Sequence, residues 1–297
     1  MFLVILLYAI LASTFIFAKK TLIYAQPFFL IGLRMIIAGI LLLSYQWFAH
    51  RKSFNIKKND WGIFVRVALF HIYFVFTLEF WALQYVSALK TTIIFSATPF
   101  ITAFLSYFLL RERLTYKKII GVCIGLAGLL PVIFSQAKNE QHTFEWASIS
   151  LPDIVLVLAV ISASYAWFIV MELIQKGYKL IFINGIAMLV GGIVSLITSF
   201  FIEGVHYPIK ELWPFLGWLS LLIISANIIV YNFYGWLLKR YSITFLSFAG
   251  FLCPCFASLY EWLFWGGVIT WNYFISLFLV VIGLSLFYQD ELTKKII

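Results

Sequence analysis

The sequence predicts an all-α integral membrane protein with ten transmembrane helices arranged as two inverted five-helix repeats, and three observations predict it. Of 297 residues, 64% are hydrophobic and 11% charged, and the mean hydropathy is +1.02. Soluble domains carry about 25% charged residues, so this chain cannot cover a water-facing surface, and soluble enzymes and nucleic-acid binders are excluded as classes. Apolar residues come in unbroken runs of about 20, enough for a helix to cross roughly 30 Å of hydrocarbon. They do not alternate with polar ones as in a transmembrane barrel. Finally, landmarks of the first half recur in the second.

The runs place spans at 2–18, 27–49, 61–85, 91–110 and 118–135, then at 152–175, 180–202, 214–238, 243–264 and 270–288. The first has no basic segment ahead of it and is followed by Lys19 and Lys20, so it reads as a retained helix rather than a signal peptide. Arg51, Lys52, Lys57 and Lys58 separate the second run from the third, and Lys90 stands between the third and fourth. Arg111, Arg113, Lys117 and Lys118 end the fourth. After the fifth comes a polar link at 137–150 between repeats at 1–136 and 151–297, and then Lys176 with Lys179, Lys210, and Lys239 with Arg240 punctuate the rest.

With the N-terminus inside, the inner links hold fourteen Lys and Arg and the outer links hold five. Cytoplasmic loops retain the basic excess. Both termini are therefore expected in the cytoplasm, in a bacterial cytoplasmic membrane, and the net charge of +9 is a topology signal rather than a nucleic-acid footprint.

At an offset of 155, Trp81 aligns with Trp236, Ser87 with Ser242, Pro99 with Pro254, Thr115 with Thr270 and Gly128 with Gly283. Proline and glycine inside spans alter backbone bonding or helix approach, so their coincidence outweighs chance matches among aromatics. Five spans per half, an odd number, turn the second repeat upside down relative to the first. Inverted repeats characterise secondary transporters with a substrate site near the bilayer midplane.

The stretch from Trp81 to Pro131 resembles the EamA-type family of the drug/metabolite transporter superfamily. The likeness rests on Ala82, Leu83 and Tyr85, on Pro99, on Leu110, Glu112, Leu114 and Thr115, and on Gly121, Gly125 and Gly128, with Arg34 matching the family's second-helix arginine. The second half departs from the pattern at Gly267, where the acidic residue usually sits, which speaks for a local structural role of that acid. The resemblance implies a carrier of small polar metabolites such as amino acids, amines or S-adenosylmethionine. Pro99, Pro254, Gly121, Gly125, Gly128 and Gly283 are the expected structural or hinge positions.

Ionisable side chains inside spans are costly and need a cavity or a partner. Arg66, Glu172 and Glu261 lie near span ends, where snorkelling explains Arg66 and Glu172 about as well as a functional role does and is the favoured account of Glu261. Helical geometry puts positions 71, 75, 78, 79 and 82 on one face of the third span, bringing His71 and Glu79 together. Asn227, Tyr231 and Tyr234 share a face of the mirrored eighth span, and Tyr234 is the repeat partner of Glu79. These stripes read as walls of one substrate cavity, with Tyr165, Ser13 and Ser96 contributing. They also read as polar contacts that knit helices together. Arg34 is a possible charge partner of Glu79.

A buried acid among aromatics that make up 20% of the chain favours a zwitterion or cation with a flat or apolar portion, such as an amino acid, an amine or an S-adenosylmethionine-like compound, with exchange for S-adenosylhomocysteine as one mode of transport. The partners expected are that small molecule and the lipid bilayer, and no nucleic acid. Cys123, Cys253 and Cys255 sit in apolar runs, no metal-ligand spacing exists, and no cofactor is called for. The alternative is an integral-membrane enzyme or a structural membrane protein without transport activity.

Overall fold

The computed structural model describes residues 2–50, 54–82, 84–85, 91, 94–111, 115–139, 150–204, 209, 211–265 and 271–295. Among the described residues the chain is helical, with no strand. In chain order the helices are α1 (Phe2–Leu22), α2 (Pro27–His50), α3 (Lys58–Ala82), α4 (Thr98–Leu110) and α5 (Tyr116–Asn139). They continue with α6 (Leu151–Gln175), α7 (Leu180–Ile202), α8 (Leu212–Leu237), α9 in two pieces (Ile243–Ala249 and Leu252–Trp265) and α10 (Trp271–Lys295). Seven of these segments are long and apolar enough to cross a membrane: α1, α2, α3, α6, α7, α8 and the stretch Ile243–Phe264. The helix Thr98–Leu110 and the apolar part of α10, Phe274–Gln289, are shorter.

The ends of these helices follow from local chemistry. Pro27 opens α2, where its missing N–H costs nothing, and Glu203 closes the same end: its carboxylate accepts from Phe28 N at 2.8 Å and Phe29 N at 2.9 Å, and Ser199 Oγ donates to it at 2.6 Å. Ser150 and Asp153 bond to each other at the start of α6, with N–H and Oγ of the serine both donating to Oδ2. Gly177 ends α6 at φ +90°, a conformation that favours glycine, so that Tyr178 N reaches back to the Leu173 carbonyl at 3.2 Å. The expected fourth span, 91–110, begins as a continuous helix only at Thr98, because Pro99 lacks a donor and belongs in a first turn. Pro254 stands in the first turn of the second piece of α9 after a break at Gly250 and Phe251. Ser87, Glu112, Leu114, Gly267, Thr270 and residues 140–149 of the link lie outside the described residues.

The chain divides into two compact units, each drawing on both halves of the sequence. One comprises Met1–Ser13, Tyr85–Ser164 and Leu237–Ile297, the other Thr14–Gln84 and Tyr165–Trp236.

Each unit is centred on one close antiparallel helix pair. In the unit with Thr14–Gln84, α2 packs against α7. A Cβ on Gly32 would lie 2.5 Å from Leu196 Cγ, and one on Gly185 would lie 2.9 Å from Leu43 Cγ. A Cβ on Gly39 would meet Leu189 N at 2.7 Å, and one on Gly192 would meet Ile36 N at 2.9 Å. Adding 153 to each α2 position gives its α7 counterpart, so every contact maps onto another when the helices exchange places. In the other unit α5 packs on α10. There a Cβ on Gly121 would meet the Gly283 carbonyl oxygen at 2.8 Å and one on Gly128 the Ser276 carbonyl oxygen at 3.3 Å, contacts that exchange at an offset of 155. Small residues let backbones approach closely where lipid supplies no hydrophobic drive.

Candidate functional site

The polar positions singled out above sit mostly in the unit built on α2 and α7. Within α3, the stretch Ala68–Tyr73 is π-helical, and Phe74 N bonds to the Leu69 carbonyl five residues back. Within α8, Ile223–Val230 is also π-helical, with Tyr231 N bonded to the Ala226 carbonyl. The two segments begin 155 residues apart, at the repeat offset. One contains His71 and the other Asn227. Such widened turns are rare and are frequent at functional sites.

In α3, His71, Val75, Glu79 and Ala82 are buried and Leu78 is half-buried. The His71 ring is packed edge-on between Trp167, at 4.6 Å between centroids, and Tyr231, at 4.9 Å. Its Nε2 is fully shielded and has no hydrogen-bond partner among the described residues. Trp167, on α6, stacks on Tyr234 with centroids 3.9 Å apart. Asn227 is fully buried: its Nδ2 donates to the sulfur of Met35 at 2.9 Å and, more distantly, to that of Met188, while Oδ1 has no partner among the described residues. Tyr165 turns its ring to Phe70, 5.2 Å away, rather than to His71.

Arg34 is buried, with its guanidinium carbon 4.5 Å from the centroid of Phe76 and 5.9 Å from that of Phe80. Glu79 lies between those two phenylalanines in α3 and is 8% exposed. The two charges act on each other through space, yet no ion pair within 4.0 Å joins them among the described residues. Ser13, which donates to the Ile10 carbonyl at 2.7 Å, and Ser96, buried in the turn before α4, belong to the other compact unit.

Two other charge pairs are seen among the described residues. Arg66 and Glu172 pair at 3.6 Å with both side chains well exposed. Asp60 accepts from Lys176 Nζ at 2.7 Å and Tyr178 OH at 2.8 Å, and that hydrogen bond raises the Lys176 pKa above its usual value. The side chain of Glu261 lies outside the described residues.

Trp167, the two π segments and the Gly32, Gly39, Gly185 and Gly192 crossing were not read from the sequence. The glycines had a signal in their seven-residue spacing, repeated at 153. Trp167 had none, being one of 11 tryptophans, most of which suit lipid or interface equally well.

Comparison with known proteins gives a consistent picture. The profile of the EamA-like transporter family matches residues 1–134 and 150–289. The S-adenosylmethionine/S-adenosylhomocysteine transporter of Chlamydia muridarum is 32% identical over 293 residues, 98% of this chain and 92% of that one. The protein of the same name from Chlamydia trachomatis serovar L2 is 31% identical, with 98% of this chain and 89% of its own covered. A solved crystal structure at 16% identity shares the fold, with a TM-score of 0.73 over 98% of this chain and 95% of that one.

Proposed function

We infer that this chain, which belongs to the EamA-like transporter family and is an integral membrane protein, carries S-adenosylmethionine or a closely similar zwitterion across the membrane by alternating access, in exchange for S-adenosylhomocysteine. The relatives named above carry that pair in their names. The observation that carries the reading is Glu79: a carboxylate 8% exposed, in an aromatic setting, with no ion pair among the described residues. An acid held in that state costs several kcal/mol unless a cation meets it, and a sulfonium or ammonium centre is such a cation. Trp167 and Tyr234 offer aromatic faces for an adenine or other flat ring.

The architecture proposed is ten transmembrane helices in two inverted five-helix repeats, 1–136 and 151–297, with both termini cytoplasmic in a bacterial cytoplasmic membrane. Support comes from α2 against α7 and α5 against α10: in each pair, helices at equivalent places in the two halves run antiparallel with exchanging contacts. The paired π segments and the paired interruptions before Pro99 and Pro254 add to it, since broken helices at corresponding positions mark the working helices of such carriers. His71, Tyr165, Asn227, Tyr231 and Tyr234, all in the unit built on α2 and α7, complete the proposed substrate-binding set. With relatives named as transporters, an enzyme or a structural membrane protein is not favoured.

The test is uptake of labelled S-adenosylmethionine into proteoliposomes loaded with S-adenosylhomocysteine. Glu79→Gln keeps the shape and removes the charge, and is expected to lower uptake at least tenfold, about 1.4 kcal/mol, with unchanged yield of folded protein. Uptake equal to wild type in that variant rejects the site.

A further inference from the structure

A guanidinium carries five N–H donors in a fixed fork and stays charged at any physiological pH. That of Arg34 is 2% exposed, yet it makes no hydrogen bond and no ion pair among the described residues, and its Nε is fully shielded. What it meets is the face of Phe76 and, farther off, that of Phe80. Cation-π contact offsets only part of the cost of burying an unpaired charge. Simple stability would be better served by closing Arg34 onto Glu79, which lies between those phenylalanines on the helix that α2 packs against. Instead the two opposite charges are buried near one another and held apart.

A split pair of this kind is complementary to a ligand that carries both charges itself. We propose that Arg34 is the receptor for the substrate's carboxylate, so that the site selects α-amino-acid zwitterions, free or as the tail of an adenosyl sulfonium, over the corresponding amines. This rests on reading Glu79 as the counter-charge of the substrate's cation. The fork of Arg34 matches a carboxylate with two parallel N–H···O bonds, and the phenylalanine faces fix the plane of the guanidinium so that few rotamers are lost on binding. The carboxylate supplies the acceptors that Arg34 lacks, which converts a buried unpaired charge into a bidentate pair.

The experiment measures binding by the full-length protein in detergent to two matched pairs of ligands. These are S-adenosylmethionine against its decarboxylated form, and methionine against 3-(methylthio)propylamine, which differ within each pair by the carboxylate alone. Wild type is expected to favour the carboxylate-bearing member by roughly a hundredfold, the range for losing one partner of a buried charge pair. Arg34→Gln should bring that ratio to about one by weakening the acid while leaving the amine within about twofold, and Arg34→Lys should restore part of the preference. Wild type binding both members of a pair alike overturns the assignment without recourse to any variant, as does an Arg34→Gln protein that weakens acid and amine by one factor. Binding of neither member of either pair overturns the Glu79 reading and this one with it.

Discussion

A Cβ placed on Gly283 would stand 2.5 Å from the carbonyl oxygen of Gly121, and one on Gly121 would stand 2.8 Å from that of Gly283. The obstacle on each side is backbone, which cannot swing away as a side chain does. Gly283→Val therefore forces α5 and α10 apart and forfeits the packing of the whole crossing. We expect a loss of about 1–3 kcal/mol or more, seen as a lower midpoint of thermal unfolding in detergent. Gly217 in α8 is the control, since nothing lies within 4 Å of its Cβ position. Gly217→Ala should be neutral to stabilising by about 0.4–1 kcal/mol, and a comparable loss there would mean that helix flexibility, not close approach, explains the first result.

Glu203 tests a second contact. Its carboxylate holds the first free N–H groups of α2 from the end of α7, uniting charge-assisted bonds with the positive end of a helix. Glu203→Ala leaves those donors unpaired and is expected to cost about 1–3 kcal/mol. Glu203→Gln keeps one acceptor and should lose roughly half as much. Thermal unfolding of the three proteins side by side decides it, and equal midpoints would show that water replaces the cap.

Much of the fold was legible because lipid enforces simple rules: a helix of fixed length between charged links can be counted along the chain. The family was legible from Pro99, Gly121, Gly125 and Gly128 in register, and the comparisons agree. What was illegible depends on angles between helices. Arg66 and Glu172 looked like separate snorkelling charges and pair at 3.6 Å, because nothing in their spacing reveals that α3 and α6 meet there. The π segments left no trace either, since widening a turn requires no particular residue type. They matter for the site, because an extra residue per turn resets which side chains share a face below and above it, from His71 to Glu79.

His71 and Asn227 should separate stability from function. Each holds a buried polar atom with no partner among the described residues, Nε2 in one and Oδ1 in the other, and such atoms carry a desolvation penalty of about 1–3 kcal/mol. Replacing each by an apolar residue of similar size, His71→Phe and Asn227→Leu, removes that penalty while keeping the ring and volume. We expect both variants to unfold at a higher temperature than wild type and to transport more slowly, the trade expected where a site is held ready for a ligand. Variants that are less stable and transport normally would make these residues structural ties between helices.

The orientation rests on Lys and Arg alone. Fourteen fall in the links assigned to the inside and five in those assigned to the outside, and the cluster Arg51, Lys52, Lys57 and Lys58 carries much of the difference. Moving a basic cluster across the membrane is opposed during insertion, so the count predicts that both ends stay in the cytoplasm. A reporter active only in the cytoplasm should work when fused after Ile297, and one active only outside should work when fused after Asn139, at the end of α5. The proposed architecture puts five spans between the N-terminus and Asn139 and five more before Ile297, so it requires opposite sides for those two fusions. Activity on the same side for both would remove the odd number of spans per half, and with it the inverted repeat on which alternating access depends.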